Sequence, residues 1–193
     1  MSDSTTTLPT RDLNGLQIPE AGVYAVDTSH SELTFSVRHM MVSKVRGQFT
    51  DFTADIVTAE DPLQSTVTAV VQMASIDTRD SGRDEHLRTN DFFDIENHPT
   101  MTFTSTGLQS AGGDFKLHGD LTIKGVTRPV TFDLEVGGVA KDPWGNTKTG
   151  FTASTTVNRK DFGLTYNAAL ETGGVLIGDK VTIELDIEAA LAS

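Results

Sequence analysis

Hydrophobic and polar residues alternate strictly over residues 33–38, where Leu33, Phe35 and Val37 face one way and polar residues face the other. Alternation with a period of two is typical of a β-strand with one buried and one solvated face. The same pattern recurs along the chain and predicts an all-β protein of about eight antiparallel strands. Their apolar positions begin near Tyr24 and then span 44–57, 67–73, 101–105, 115–123, 130–136, 151–157 and 181–187.

The second predicted strand changes parity near Asp51. Val45, Gly47 and Phe49 share one face before that point, and Phe52 takes over the same face after it. A parity change of this kind indicates a β-bulge, which bends a strand as a barrel requires. The pattern therefore favours an antiparallel eight-stranded β-barrel. A β-sandwich has a similar alternation and stays open as an alternative.

The alternation stops at residues 80–97, and this interruption predicts a short helical insert. Ser81 and Asp84 have the spacing of a capping box, which predicts a helix over residues 83–89. At the N-terminus, residues 1–21 are polar and contain two prolines, so we expect a flexible leader. Residues 22–193 are then expected to form a single barrel domain.

Charge and composition exclude several classes of protein. The 27 acidic and 15 basic side chains give a net charge of −12, which argues against nucleic acid as a partner and against anchoring on anionic lipid headgroups. Stable membrane insertion is not expected either. Without cysteine, disulfides and thiolate chemistry are excluded. The N-terminal residues lack the basic and apolar regions of a signal peptide, so we expect a cytoplasmic protein.

Ordered motifs of high specificity run through residues 22–190. They are an opening motif, a glycine–aromatic pair, a helical segment, a long block and two short C-terminal motifs. Their residues are Asp27, His30, Ser31, Phe35, Val37 and His39; Gly47 and Phe49; His86, Leu87, Asp91, Phe92, Phe93, Asp94, Pro99 and Phe103; the block GDLTIKGVTRPV at 119–130; Arg159, Asp161, Phe162 and Gly163; and Gly178 and Asp179. By these motifs the chain resembles the YceI-like polyisoprenoid-binding family.

The resemblance implies an extended lipocalin-like barrel around a long apolar tunnel. It implies binding, storage or transport of an isoprenoid-tailed lipid, such as a polyprenyl diphosphate or an isoprenoid quinone, without catalysis and without a cofactor other than that lipid. A homodimer is a further expectation from the family. Many relatives carry a secretion signal that this chain lacks, which leaves the binding fold untouched.

Large apolar residues on the inward parity are the candidates for the tunnel wall, because an isoprenoid tail offers no hydrogen-bonding groups. The resemblance favours a lining role, and Phe92 and Phe93 are expected to form a lid or closed end. The alternative for each phenylalanine is ordinary core filling. The predicted lining residues are Leu33, Phe35, Val37, Phe49, Phe92, Phe93, Phe103, Phe132 and Phe151.

Four residues near strand ends are candidates for a polar headgroup. Arg38, Arg88 and Arg159 carry guanidinium groups that suit bidentate capture of phosphate. His39 shares the inward parity of Val37 and is suited to donate to a quinone carbonyl or a diphosphate. The alternatives are surface arginines paired to carboxylates, and a core histidine bonded to backbone.

The sequence gives little support to other functions. The chain has no nucleophile elbow, P-loop or dinucleotide fingerprint, and its five histidines lack the spacing of a zinc site, so no metal is predicted. A small-molecule enzyme with His39 as acid or base at the barrel mouth is the alternative to a binding protein. A structural module with a filled barrel is a third interpretation.

Overall fold

The structure, a computed structural model, describes residues 8–192 and is built almost entirely from antiparallel strands. One α-helix, α1, and several short 3₁₀ turns interrupt them. The bounds are β1 Thr10–Leu13, β2 Leu16–Pro19, β3 Gly22–Val26, β4 Glu32–His39, β5 Ser43–Phe49, β6 Phe52–Thr58, β7 Thr66–Gln72, β8 Ile76–Asp77, α1 Ser81–Arg88, β9 Thr100–Ala111, β10 Asp114–Ile123, β11 Val126–Lys141, β12 Thr147–Asn158 and β13 Ile177–Leu191.

The long last strand closes the sheet into a barrel. On one edge β13 pairs with β12, with Ile187 opposite Phe151. On its other edge β13 pairs with β3 and then with β4, with Ala189 opposite Val26 and Ile183 opposite Phe35. Because β3 and β4 are two halves of one bent strand, and β5 and β6 are two halves of the next, the wall has eight strand positions. The barrel prediction is confirmed, and the sandwich is excluded.

The bends in these two strands have identifiable causes. Between β3 and β4, Asp27 caps a 3₁₀ turn at Thr28–His30 and accepts a hydrogen bond from the backbone N–H of Ser29. Between β5 and β6, Thr50 leaves the strand and donates its backbone N–H to the Ser75 side chain. The predicted parity change near Asp51 is therefore a break rather than a simple bulge. At this break β5 stays paired with β4, which itself pairs with β13, and the C-terminal end of β5 also pairs with β8.

The helical insert is present, but its start differs from the capping box predicted at Ser81. The N-cap is Asp80, whose carboxylate accepts from the Arg83 backbone N–H at 2.9 Å. Asp84 is buried and turns away from the helix end, accepting from both the backbone N–H and the hydroxyl of Thr78. This network fixes the helix to the segment that follows β8.

The flexible leader is wrong for the residues that the structure describes, because β1 and β2 form a hairpin there. Asn14 and Gly15 both have positive φ, of 54° and 86°, as a type I′ turn requires, and the Asn-Gly pair is a signal that could have revealed it. Ile18 is only 4% exposed, and Arg11 donates to the carbonyls of Ala59 and Glu60. The first seven residues of the expected leader lie outside the described residues.

Candidate ligand site

Two adjoining cavities occupy the inside of the barrel. The first has a volume of about 190 Å³ and the second about 330 Å³, and Leu33, Met101 and Ile183 line both. The structure places all nine predicted tunnel residues on these walls. Phe103, Phe132 and Phe151 line the first cavity; Phe35, Val37, Phe49, Phe92 and Phe93 line the second; and Leu33 lines both.

The first cavity is apolar, and the β1–β2 hairpin borders its outer end. Ile18 and Pro19 contribute to its lining and are buried. Arg11 reaches the same end, but its guanidinium is bonded to the carbonyls of Pro19, Ala59 and Glu60. The site at this end therefore offers hydrocarbon contact and no free charge to a ligand.

The second cavity lies at the opposite end of the barrel, under α1 and the loop between β12 and β13. Its volume is in the range of small-molecule sites, which begins at roughly 300 Å³. Besides apolar side chains, its walls include polar ones. These are Arg38, His39, Arg83, His86, Arg159 and Tyr166.

Three rings form an aromatic cluster on the wall of the second cavity. The ring centroids of His86 and Phe92 are 5.0 Å apart, those of His86 and Tyr166 are 5.0 Å apart, and those of Phe92 and Tyr166 are 5.1 Å apart. His86 Nε2 lies 2.8 Å from Asp91 Oδ2, which orients the ring. Sequence reasoning missed Tyr166 because it lies in an irregular loop with no local signal, far from His86 along the chain.

Two phenylalanine rings on the tunnel wall lie against glycines of the neighbouring strand. A β-carbon built on Gly47 would overlap the ring of Phe35, which is its direct cross-strand partner. A β-carbon on Gly119 would overlap the ring of Phe103 and lie 2.7 Å from the carbonyl oxygen of Thr104. Both rings therefore lie over a glycine of the neighbouring strand, in the space that a side chain there would occupy.

Arg159, predicted to hold a headgroup, is instead a structural residue of the loop after β12. It is buried, and it donates from Nε to the Gly178 carbonyl at 2.8 Å and from Nη1 to the Leu164 carbonyl at 2.6 Å. Further bonds from Nη1 and Nη2 reach the carbonyls of Tyr166 and Ile177. Burial lowers the pKa of the guanidinium. Its donors are thus used by backbone carbonyls rather than left for a phosphate.

The other three headgroup candidates occupy different positions. Arg88 donates to the carbonyls of Ala74 and Ile76, and it does not line either cavity, so its role is also structural. Arg38 is exposed. His39 lines the second cavity, and within residues 8–192 its ring makes no side-chain hydrogen bond. A general base requires an orienting partner, so the geometry lends the enzyme alternative no support.

The opening motif stabilises the corner between β3 and β4. Asp27 Oδ2 lies 3.0 Å from His30 Nδ1 and 3.2 Å from Lys148 Nζ, while Lys148 Nζ lies 3.3 Å from Glu188 Oε1. Hydrogen bonds from Ser29, His30 and Lys148 hold the pKa of Asp27 well below its usual range. Asp27, His30 and Glu188 have the spacing of metal ligands, but the Lys148 ammonium supplies the positive charge between the two carboxylates.

Comparisons with known proteins cover most of the chain. The profile of the YceI-like domain matches residues 24–189. A UPF0312 protein of Staphylococcus epidermidis is 42% identical over 167 residues, which cover 86% of this chain and 95% of that protein.

Solved structures show the same barrel. A Campylobacter jejuni YceI protein is 30% identical, with a TM-score of 0.70 over 81% of this chain and 90% of that one. A polyisoprenoid binding domain from Saccharophagus degradans, implicated in plant cell wall breakdown, is 17% identical, with a TM-score of 0.68 over 88% of this chain and 98% of that one. Within residues 8–192, no helix has the length and apolar character needed to cross a membrane.

Proposed function

The chain belongs to the YceI-like family, and from that premise and the geometry of the tunnel we propose that it binds an isoprenoid-tailed lipid without catalysis. The observation that carries the proposal is the asymmetry of the two cavities. The first is apolar and bordered at its outer end by Ile18 and Pro19, whereas the second is bordered by His39, His86 and Tyr166. A hydrocarbon tail fits the first cavity, and a polar head fits the second.

Tail burial supplies ample free energy for binding. Each buried CH₂ contributes about 0.8 kcal/mol, so a five-carbon prenyl unit gains at most roughly 4 kcal/mol. Ordering a flexible tail offsets much of this gain. The affinity for the lipid then depends on how many prenyl units the two cavities hold. The distance from the second cavity to the β1–β2 hairpin limits the length of tail that fits. The Saccharophagus degradans protein with the same fold is a polyisoprenoid binding domain, which supports the proposal.

The polar groups favour a quinone over a diphosphate as the head. Arg88 and Arg159 are occupied by backbone carbonyls, and Arg83 donates to the hydroxyl and carbonyl of Thr78. Arg38 is exposed and lies beside Lys44 on the outer face of the β4–β5 hairpin. The imidazole of His39 and the hydroxyl of Tyr166 can each donate a hydrogen bond without carrying a charge. Such donors match the carbonyl oxygens of a quinone. We therefore propose an isoprenoid quinone, held or carried within the barrel.

Organic extraction of the purified protein followed by mass spectrometry tests this function. We expect an isoprenoid quinone to be recovered, and added quinone to raise the melting temperature of stripped protein. The Phe35→Glu variant places a charge on the second cavity wall and should abolish both effects. Ser36→Glu is the matched control. Ser36 is the next residue in the strand, lies on the outer face and is the cross-strand partner of Arg46. Empty protein that no quinone stabilises would rule the proposal out.

A further inference from the structure

The β4–β5 hairpin ends in an apolar tip formed by Met40, Met41 and Val42. Their exposed fractions are 45%, 70% and 82%, and no other three consecutive large apolar residues within 8–192 are exposed. Val175, 40% exposed, lies in the adjacent loop, where a β-carbon on Gly174 would come within 3.3 Å of Met41 Sδ. Single exposed apolar residues are ordinary, but a contiguous exposed group marks an interaction surface.

The backbone of the tip holds these side chains outward at a conformational cost. Met40 and Met41 have φ of 52° and 59°, and the Val42 N–H donates to the His39 carbonyl at 3.1 Å. This is the geometry of a type I′ turn, in which Asn-Gly is favoured and large side chains are unfavourable. Retaining two methionines there is consistent with a role for their exposed side chains.

Basic residues lie directly behind the tip. Residues 33–50 contain no aspartate or glutamate, although the chain has 27 acidic residues. Arg38 and Lys44 are cross-strand partners on the outer face, and Arg46 follows two residues after Lys44 on the same face. All three are exposed, and in the part of the chain that the structure describes none of them is in an ion pair.

The tip is directly connected to the wall of the second cavity. His39, which lines that cavity, precedes Met40 in the chain. The Met40 N–H donates to the carbonyl of Leu176 at 2.8 Å, and Leu176 is another lining residue. A surface that bound the tip would therefore lie next to the polar end of the tunnel.

We propose that the Met40–Val42 tip and its basic residues Arg38, Lys44 and Arg46 form a docking surface for anionic lipid bilayers, from which the second cavity is loaded. An apolar group flanked by cations matches the acyl boundary and anionic headgroups of a membrane surface. This inference rests on the proposed lipid-binding function. It is a reversible contact made by one local basic surface, and it differs from the anchoring of the whole molecule against which the net charge of the chain argues.

The charge of the rest of the molecule orients this contact. At the end of β4 away from the tip, the outer wall formed by β4, β11, β12 and β13 carries Glu32, Asp133, Glu135, Glu184 and Asp186 around a shallow groove. An anionic membrane repels that face and attracts the hairpin. The net charge of −12 is a sum over the whole chain. It therefore conceals the local basic region beside the exposed apolar tip.

Vesicle co-sedimentation of the full chain tests the proposal. We expect binding to phosphatidylcholine vesicles that contain about one third phosphatidylglycerol, weaker binding to phosphatidylcholine alone, and release at high salt. The Met41→Ser/Val42→Ser variant should partition roughly tenfold more weakly. Lys44→Glu/Arg46→Glu should weaken binding by about fivefold or more for each charge.

Trp144 provides the matched control and an optical reporter. It is the sole tryptophan, it is 84% exposed, and it lies in the β11–β12 turn at the opposite end of the barrel. Trp144→Ser should bind vesicles as the unmodified chain does. In a Trp144→Phe background, Val42→Trp should show blue-shifted emission with the anionic vesicles, whereas native Trp144 should not.

The outcomes separate this proposal from the proposed function. Tip variants should take up quinone delivered in detergent as the unmodified chain does, because their tunnel is intact, but should take it up slowly from vesicles. Failure of the unmodified chain to bind anionic vesicles, or equal losses in the tip and Trp144→Ser variants, overturns docking while leaving quinone uptake from detergent unaffected. Absence of uptake from detergent, with vesicle binding retained, counts against the proposed function alone.

Discussion

The two ends of the tunnel differ in how they are built and in what they offer a ligand. The first cavity is bordered by a local hairpin, β1–β2, and the Arg11 guanidinium there is already bonded to carbonyls. The second cavity is bordered by α1, the aromatic cluster and the β12–β13 loop, and it has histidine and tyrosine side chains on its wall. The difference shows that one barrel can have a dry end and a polar end, depending on which segments cover its openings.

The largest expected effect compares the two glycines that support the tunnel rings. Gly119→Ala should lower the free energy of unfolding by about 3 kcal/mol, because the new methyl group meets the Thr104 carbonyl as well as the Phe103 ring. Gly47→Ala should cost about 1 kcal/mol, because the side chains of Phe35 and Thr78 that it meets can move. Chemical denaturation measures both. Equal costs would mean that the backbone contact at Gly119 is relieved.

The next effect tests how tightly the β1–β2 hairpin packs over the first cavity. Ile18→Ala should lower the free energy of unfolding by roughly 2 kcal/mol, because Ile18 is 4% exposed and lines the first cavity. Gln17→Ala, on the exposed face of the same strand, should change it by less than about 0.5 kcal/mol. If the two variants unfold alike, the hairpin does not pack tightly over this end of the barrel.

A smaller effect should distinguish the cavities by tail length. Ala153→Phe fills part of the first cavity and should weaken binding of a long-tailed quinone by roughly tenfold, or about 1.4 kcal/mol, while sparing a short-tailed one. Val45→Phe fills the second cavity and should weaken both. Thr152→Phe, on the exposed face beside Ala153, is the control. Fluorescence titration provides the measurement, and an equal loss for both tails in Ala153→Phe would contradict this assignment.

The smallest effect concerns the strand corner outside the tunnel. Because hydrogen bonds hold the pKa of Asp27 below its unfolded value of about 4, its contribution to stability is present above that pH and is lost as the pH falls through the folded value. Asp27→Asn should therefore melt below the unmodified chain at pH 7, and the gap should close towards pH 2. Melting temperatures of both proteins across this pH range test the prediction. A difference between them that widens in acid would contradict it.

Period-two alternation was sufficient to predict the strands of the barrel, because each strand has one face on a solvated surface. It was not sufficient to distinguish a barrel from a sandwich. That choice depends on the pairing of β13 with both β12 and the β3–β4 strand, which is a long-range contact. The β1–β2 hairpin was missed because its polar composition concealed an Asn-Gly turn signal.

The cavity wall was easier to predict than the polar groups. Inward parity and the family resemblance together placed Phe35, Phe103 and Phe151 beside space rather than in a filled core. The role of Arg159 was not predictable in the same way, because its partners are carbonyls of a loop with no periodic pattern. Tyr166 was missed for a related reason: only the tertiary fold places it against His86.

The rings that rest on Gly47 and Gly119 have a consequence for selectivity among hydrocarbons. Because each ring occupies the place of the side chain that the glycine lacks, we expect a recess in the lumen beside it instead of a uniform width. A straight acyl chain leaves such recesses empty, whereas the regular methyl side groups of a prenyl chain fill them. The width of the lumen, which depends on the absence of a β-carbon at these two glycines, would then select branched over unbranched tails without any polar contact.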